Sequence, residues 1–433
     1  MIEYSVRLAD LNRHHLEIQC HVRDPDPEQR FTMPSWIPGS YLLREYARHI
    51  VGIRAEDNGQ VVEIKKVSKN TWSCRNAGAL LTVTIEVFAL DRSVRGAYLD
   101  GRRGFFNGTC LFLSPEGREE ETVQMRVEKP VDPRCEHWRV ATAMTSETTD
   151  DAGFGTYSAS NYNELIDHPV EISDFADAQF ETAGIPHRLV MAGRHQADLS
   201  RIAKDLTQLC QAHIDFFGGT PPFHSYCFLG LAAGEGYGGL EHRASSSLIF
   251  CRDYLPKIGE IGVSRDYQRF LSLCSHEYFH AWNVKRIKPQ AFTPYRLDRR
   301  NHTRLMWVFE GITSYYQDLM LLRSHLIEPE AYLERLGRLL TRVYRTPGRF
   351  RQSIAEASFD AWDKLYKPEA NSSNATISYY SKGALVALAL DLTIRKESST
   401  NLDRIMGELW SRFGKEGIGI GENEFEILSQ EIT

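Results

Sequence analysis

The sequence has no apolar run long enough to cross a bilayer: the longest, Ala384 to Leu390, falls far short of the roughly 20 residues a membrane helix needs. Nor does it have a charge excess, since a net charge of −6 and a pI near 6.2 give no electrostatic reason to expect nucleic acid or an anionic membrane as partner. Short basic clusters such as Arg299-Arg300 read as solvated surface. The eight cysteines (Cys20, Cys74, Cys110, Cys135, Cys210, Cys227, Cys251, Cys274) contain no C-x-x-C pair, which excludes a cysteine zinc knuckle and a dithiol redox motif and leaves reduced, buried thiols. The start, Met1-Ile2-Glu3-Tyr4, lacks a basic segment leading into an apolar one, so no secretory leader is read and a cytoplasmic location is expected. There is no internal repeat and no low-complexity tract.

What is there is ordinary globular material. With 433 residues, 42% hydrophobic and 25% charged, the chain is too long for one core and too apolar for disorder, so two or three domains are expected. The hydrophobic period changes once. Up to about residue 175, stretches such as His15 to Val22 and Leu81 to Val87 alternate apolar with polar residues between turn-rich connections, the pattern of an all-β sandwich. Beyond it the three- and four-residue spacing of helices takes over, at Asp198 to Phe217, Arg265 to Trp282, Thr303 to Arg323, Pro329 to Thr346 and Lys382 to Arg395. A multidomain chain follows: an N-terminal β-sandwich over residues 1–175, then an α+β domain over 176–433, β-containing to about 260 and mainly helical after it.

The chemistry concentrates in Ser275-His276-Glu277-Tyr278-Phe279-His280. On a helix, positions i and i+4 share a face, so two imidazoles can grip one metal ion while Glu277 lies beside it as a general base. The flanks supply the helix, with Ser264 as N-cap, an apolar surface at Tyr267, Phe270, Leu271, Leu273, Cys274 and Tyr278, and no interior Gly or Pro. The competing reading is a buried helix that happens to hold two histidines. A catalytic zinc takes three protein ligands and leaves one position open, so a third ligand should follow on an element that returns to the first. Trp307-Val308-Phe309-Glu310-Gly311-Ile312 offers one carboxylate in an apolar-aromatic stretch, where an acid is rare unless paired or bound to metal. A salt bridge from Glu310 to an arginine such as Arg304 is the alternative.

These residues resemble a known group. His276-Glu277-x-x-His280 with Glu310 in a Glu-Gly-x-Thr-Ser-Tyr context looks like the thermolysin-like metallopeptidases with a glutamate third ligand. The longer string from His276 to Pro289, together with Trp36-Ile-Pro-Gly-Ser-Tyr41 and Asn161-Tyr-Asn-Glu-Leu-Ile-Asp-His168-Pro169, resembles the glycyl aminopeptidase family from about residue 30 to about 400. The resemblance implies a thermolysin-like catalytic domain over 176–433, one zinc ion per chain on His276, His280 and Glu310, and peptide substrates with a free N-terminus, small N-terminal residues such as Gly or Ala first. It also implies a C-terminal PDZ module, for which no residues remain after Ile432-Thr433. Gly238-Gly239-Leu240-Glu241 reads as a glycine-lined edge strand on which a substrate backbone can lie, and related zinc aminopeptidases use a comparable Gly-x-x-Glu to hold the α-ammonium group, which gives Glu241 that role. A tight turn with a surface carboxylate is the plain alternative. By the same resemblance the Tyr-x-Lys-Gly-Ala stretch assigns Tyr380 to the tetrahedral oxyanion, with adjacent Tyr379 as second candidate.

Gly234-Glu235-Gly236-Tyr237-Gly238-Gly239 matches the dinucleotide pattern G-x-G-x-x-G, but its third glycine should open a helix, whereas Leu240 to Phe250 reads as strand and Glu235 would repel phosphate. A nucleotide site is therefore rejected. Two alternatives to the aminopeptidase stay open at this level: a zinc endopeptidase on the same scaffold, and a non-catalytic zinc-containing binding protein. Oligomeric state has no sequence signal.

Overall fold

The computed structural model describes residues 1–76 and 78–433. In the first half, alternation becomes pairing: Leu16, Ile18, Cys20 and Val22 are buried and stand opposite Val87, Ile85, Val83 and Leu81, also buried. Such apolar cross-strand pairs turn one sheet face into core. The sheet has eight strands, in spatial order Thr145–Thr149, Gly155–Ala159, Val123–Val127, Ile2–Asp10, His15–Arg23, Leu80–Phe88, Ile50–Asp57 and Gln60–Val62. Ile2–Asp10 runs parallel to Val123–Val127 and antiparallel to His15–Arg23. Two four-stranded sheets complete the β-rich half, one centred on Glu28–Thr32 and Thr71–Arg75, the other on Arg103–Phe106 and Val170–Ser173. Phe31 and Trp72 from the former, and Phe106 and Ile172 from the latter, join the same apolar core.

The second half opens with a five-stranded sheet, β1 (Ala176–Thr182), β2 (Ile185–Ala192), β3 (Tyr226–Ala233), β4 (Tyr237–Glu241) and β5 (Ser245–Cys251), in spatial order β1-β2-β3-β5-β4. β2, β3 and β5 are parallel, while β4 pairs antiparallel with β5 and forms the free edge. The stretch Leu240 to Phe250, expected as one strand, is thus two halves of a hairpin, closed where His242 N donates to Ser245 O at 2.9 Å. Its turn carries neither Gly nor Pro, so nothing in the sequence punctuated it.

Helices α1 (Leu199–Phe216) and α2 (Arg265–Phe279) cover this sheet, burying Leu206, Leu209, Phe270 and Tyr278 with Leu189, Phe228 and Leu248. α3 (Ile312–Arg323), α4 (Pro329–Tyr344) and α5 (Tyr379–Glu397) follow. α5 begins three residues before the expected Lys382, and two helix limits beside the ligand residues fall short of expectation. α2 stops at Phe279, with His280 as its C-cap, because the chain turns back so that Lys285 N donates to His280 O and Ile287 N to Trp282 O. The helix expected from Thr303 begins only at Trp307, because Thr303 Oγ1 and Arg304 N both donate to the Glu422 carboxylate and hold the preceding residues extended. No helix among the described residues is long and apolar enough to cross a membrane. All eight cysteines are free thiols, and seven of them are buried.

Candidate metal centre

α2 delivers its histidines from a rigid base. Ser264 caps it by accepting from Tyr267 N at 3.1 Å, and its apolar face is buried along its length. His276 Nε2 and His280 Nε2 end 3.0 Å apart, and Glu310 Oε2 stands 3.5 Å from the first and 3.2 Å from the second. Glu310 reaches them from a single wide π-turn, Trp307–Gly311, that precedes α3. Asn283 braces that turn, its amide donating to the carbonyls of Val308 and Phe309 at 3.1 and 3.2 Å. Gly311 and Gly383 set the last spacing, since a Cβ on Gly311 would come within 2.7 Å of the Gly383 Cα. The two helices meet backbone to backbone there, and the approach carries Tyr380 over His276, ring centres 6.3 Å apart.

The donor set determines what these atoms can hold. His276 Nδ1 faces Gln317 Oε1 and His280 Nδ1 faces the Asn283 carbonyl, each at 2.7 Å. Both partners only accept, so each Nδ1 carries the proton and each Nε2 presents a lone pair. Two lone pairs and a carboxylate oxygen therefore converge, and that oxygen, Glu310 Oε2, is buried without a hydrogen-bond donor. Such a set is repulsive unless a cation lies among its members. The ionisation equilibria show the same demand for positive charge, met here by a proton on His280: burial pushes its imidazole down, but the Glu310 and Glu241 carboxylates outweigh it and raise it to about 10, so a metal ion would take the place of that proton. Burial pushes Glu310 up, yet His280 and His276 outweigh it and hold it at about 2. His276, His280 and Glu310 fit a divalent metal with nitrogen and carboxylate ligands.

The other predicted residues surround this triad in a cleft of about 330 Å³. Glu277, Tyr380, Glu241 and Gly239 line it with the three ligand candidates; Gly238 and Tyr379 do not. Glu277 is 4% exposed, and burial, opposed by the charges of His276 and His280, lifts it to about 7, a value matched to moving a proton at neutral pH. A Cβ on Gly239 would displace the Glu277 carboxylate from its place. Glu241 ends edge strand β4, is 3% exposed, and leaves Oε1 without a partner. Burial pushes the Tyr380 phenol well above its ordinary range, so it stays protonated as a donor.

Several residues escaped sequence reasoning. Gly39, in the left-handed region at φ +93°, brings the β-rich half against Glu241: a Cβ there would lie within 2.5 Å of Glu241 Oε2. Arg95, from the same half, donates to Gly239 O at 3.0 Å and pins the edge strand. Tyr366 OH lies 3.0 Å from Tyr380 OH. The Trp-Ile-Pro-Gly-Ser-Tyr string was visible, but its approach to Glu241 is tertiary and has no local signature.

Two family models match the chain, one described as Peptidase M61 N-terminal domain over residues 3–174 and one described as M61 glycyl aminopeptidase over residues 269–386. The chain belongs to the M61 glycyl aminopeptidase family. An aminopeptidase N family protein from Idiomarina loihiensis is similar to this M61 peptidase at 42% identity over 98% of this chain and 72% of its own, with a TM-score of 0.95. An M1 zinc metallopeptidase from Deinococcus radiodurans shares the fold at 12% identity, over 99% of this chain and 89% of its own, with a TM-score of 0.60. So does yeast LTA4 hydrolase, at 12% identity over 100% of this chain and 64% of its own, with a TM-score of 0.58. No curated protein matches.

Proposed function

We propose that this M61 peptidase is a zinc-dependent aminopeptidase that removes single N-terminal residues, glycine and alanine foremost, from peptides. The observation that carries the reading is the convergence of two histidine lone pairs and an undonated Glu310 oxygen beside a buried Glu277 lifted to about 7. His276, His280 and Glu310 would hold the zinc, which when bound polarises the scissile carbonyl and makes water a stronger acid.

Every other step falls to the chain. Glu277 takes the proton from the attacking water and returns it to the leaving amine, for which a carboxyl near neutrality is suited in both directions. Tyr380 donates its phenol hydrogen to the oxygen on which negative charge develops. Glu241, with one carboxylate oxygen unpartnered, receives the substrate's α-ammonium group and so fixes cleavage one residue from the end. The preference for residues with little or no side chain rests on the match to the M61 glycyl aminopeptidase model.

Metal analysis and hydrolysis by wild type and Glu277→Gln test the core of the reading. The variant is expected to retain one zinc and lose about 10²–10⁴-fold in turnover; equal turnover removes Glu277 from the mechanism. A free peptide and its N-acetylated form test the exopeptidase assignment, and equal rates on both would make the enzyme an endopeptidase.

A further inference from the structure

Beside Glu241, whose chain neighbour His242 lines it, the two halves form a second hollow of about 180 Å³. Ile37, Pro38 and Asp167 contribute from the β-rich half, and His242, Arg243, Lys285, Lys288 and Tyr295 from the other. Three cations thus face one carboxylate. Asp167 accepts from Lys285 Nζ at 2.8 Å, from His242 Nδ1 at 3.1 Å and from Arg243 Nε at 3.3 Å. Glu164 reaches Arg243 only at 3.8 Å, and Lys288 pairs with no carboxylate among the described residues, its ammonium lying 5.0 Å from the Tyr295 ring centre. Adjacent Arg286 adds a further positive charge, since its guanidinium donates only to the backbone carbonyls of Arg243, Ala281 and Pro222.

The charges run from the surface inward: the Arg243 side chain is 35% exposed, and Lys288 and Arg286 are half-buried. The Lys285 side chain is 3% exposed and His242 is 1% exposed. Removing cations from water in excess of their counterions is costly unless an anion joins them. The strain registers on the groups themselves: burial and neighbouring Lys285 pull the Lys288 ammonium down to about 8, and burial and Arg243 pull Arg286 down to about 10.

His242 narrows the choice of anion. Asp167 can only accept, so His242 Nδ1 donates to it, and Nε2, buried without a partner, is a lone pair in want of a donor. A ligand matching the pocket must carry oxygens for Lys288, Lys285 and Arg243 and also one hydroxyl for His242. Size sets the remaining limit: 180 Å³ is about six water volumes, at ~30 Å³ each, and lies below the roughly 300 Å³ at which pockets begin to take organic ligands whole. We propose that this pocket is a binding site for a hydrogen phosphate ion, which clamps the two halves together beside the peptide-binding carboxylate.

The site is independent of the peptidase reading and is tested on the full chain without substrate. At constant ionic strength slightly above neutral pH, sodium phosphate replaces sodium gluconate, whose anion is too bulky for the pocket. The melting temperature of the wild type is expected to rise by a few degrees, saturably, and isothermal titration to return one site per chain. Lys288→Met, which keeps an apolar stem over Tyr295 and removes the unpaired charge, is expected to lose that increment and to melt no lower than wild type in gluconate. Glycerol 3-phosphate, whose phosphate is a dianion without a P–OH hydrogen at this pH, is expected to give no matching rise, and an equal rise would overturn the requirement for a hydroxyl at His242. No response to phosphate, an equal rise in Lys288→Met, or an equal rise with chloride, which has no hydrogen to give His242, would overturn the assignment. Should Lys288→Met fail to fold, Lys288→Gln and the wild-type titration decide.

Discussion

Two polar clusters adjoin Glu241, which lines the cleft of one and precedes His242 in the lining of the other, and their deficits have opposite sign. Around His276, His280 and Glu310, acceptors meet acceptors: each Nδ1 is already committed, and two Nε2 lone pairs and a carboxylate oxygen point at one another. Around Asp167 the donors outnumber what one carboxylate can take, with Lys285 and Arg243 on it and Lys288 beside it unpaired. Buried groups of either kind need a partner of opposite character. Surplus acceptors call for a cation and surplus donors for an anion, so the orphaned atoms of a protein interior name the charge of its ligand before any ligand is seen.

The largest expected break in this comparison comes from stripping metal. Chelation should abolish hydrolysis and lower the melting temperature of the wild type, while Glu310→Ala, already unable to retain zinc, should be inactive and melt at the same temperature with or without chelator. A chelator-insensitive wild type would deny that the acceptor cluster needs a cation. Next comes Asp167→Asn, which leaves Lys285 buried without its partner and should cost about 3–5 kcal/mol in urea unfolding, the range for breaking a buried ion pair. Added Lys285→Met should recover part of that loss; no recovery would mean that Asp167 acts by packing and not by charge.

Acid sharpens the contrast with a third kind of buried group, the neutral histidines behind α2. His213 Nε2 lies 2.9 Å from Ser275 Oγ and His187 Nε2 lies 2.9 Å from the Tyr278 hydroxyl. Burial, with a lesser push from Arg323, holds His213 down at about 3, and burial holds His187 at about 4. Their folded values lie below the unfolded value near 6.5, so the unfolded chain takes up the protons; the stability is complete above about pH 6.5 and is lost as pH falls toward 4. Each contributes a loss of about 1.4 kcal/mol per pH unit in that window. Hydrogen exchange should therefore show α2 amides opening at pH 5 ahead of those at Ile18 and Ile85 in the β-rich half, and equal protection in both would refute it. The smallest effect is reserved for Tyr366→Phe: losing the hydroxyl that orients Tyr380 should reduce kcat a few-fold with KM unchanged, against about 10²-fold for Tyr380→Phe. Equal losses would make Tyr366 more than a positioning residue.

The linear chain shows well whatever is periodic. Leu16 to Val22 and Leu81 to Val87 alternate and pair; the spacing of His276 and His280 survives as a shared face; Glu310 stands out as a lone acid among aromatics. What was hidden depends on contacts between distant segments. Nothing local tells that Asn283 braces the Glu310 turn, that Arg95 pins β4, or that Gly39 abuts Glu241, because each acts through a partner at least 25 residues away. The hairpin over Leu240 to Phe250 was hidden for a different reason: its turn is closed by a backbone hydrogen bond from His242, and its central residues, Arg243 and Ala244, are not among those that usually mark turns. Thr303 was misread because Glu422, far downstream, draws its hydroxyl out of the helix.

The touching glycines, Gly311 and Gly383, have a mechanical meaning. With no side chain between the two helices there is nothing compressible to absorb a displacement, so the carboxylate at Glu310 and the phenol at Tyr380 ride on what is effectively one rigid strut. A shift of either helix is thus passed on to both groups, their spacing held by backbone in contact with backbone.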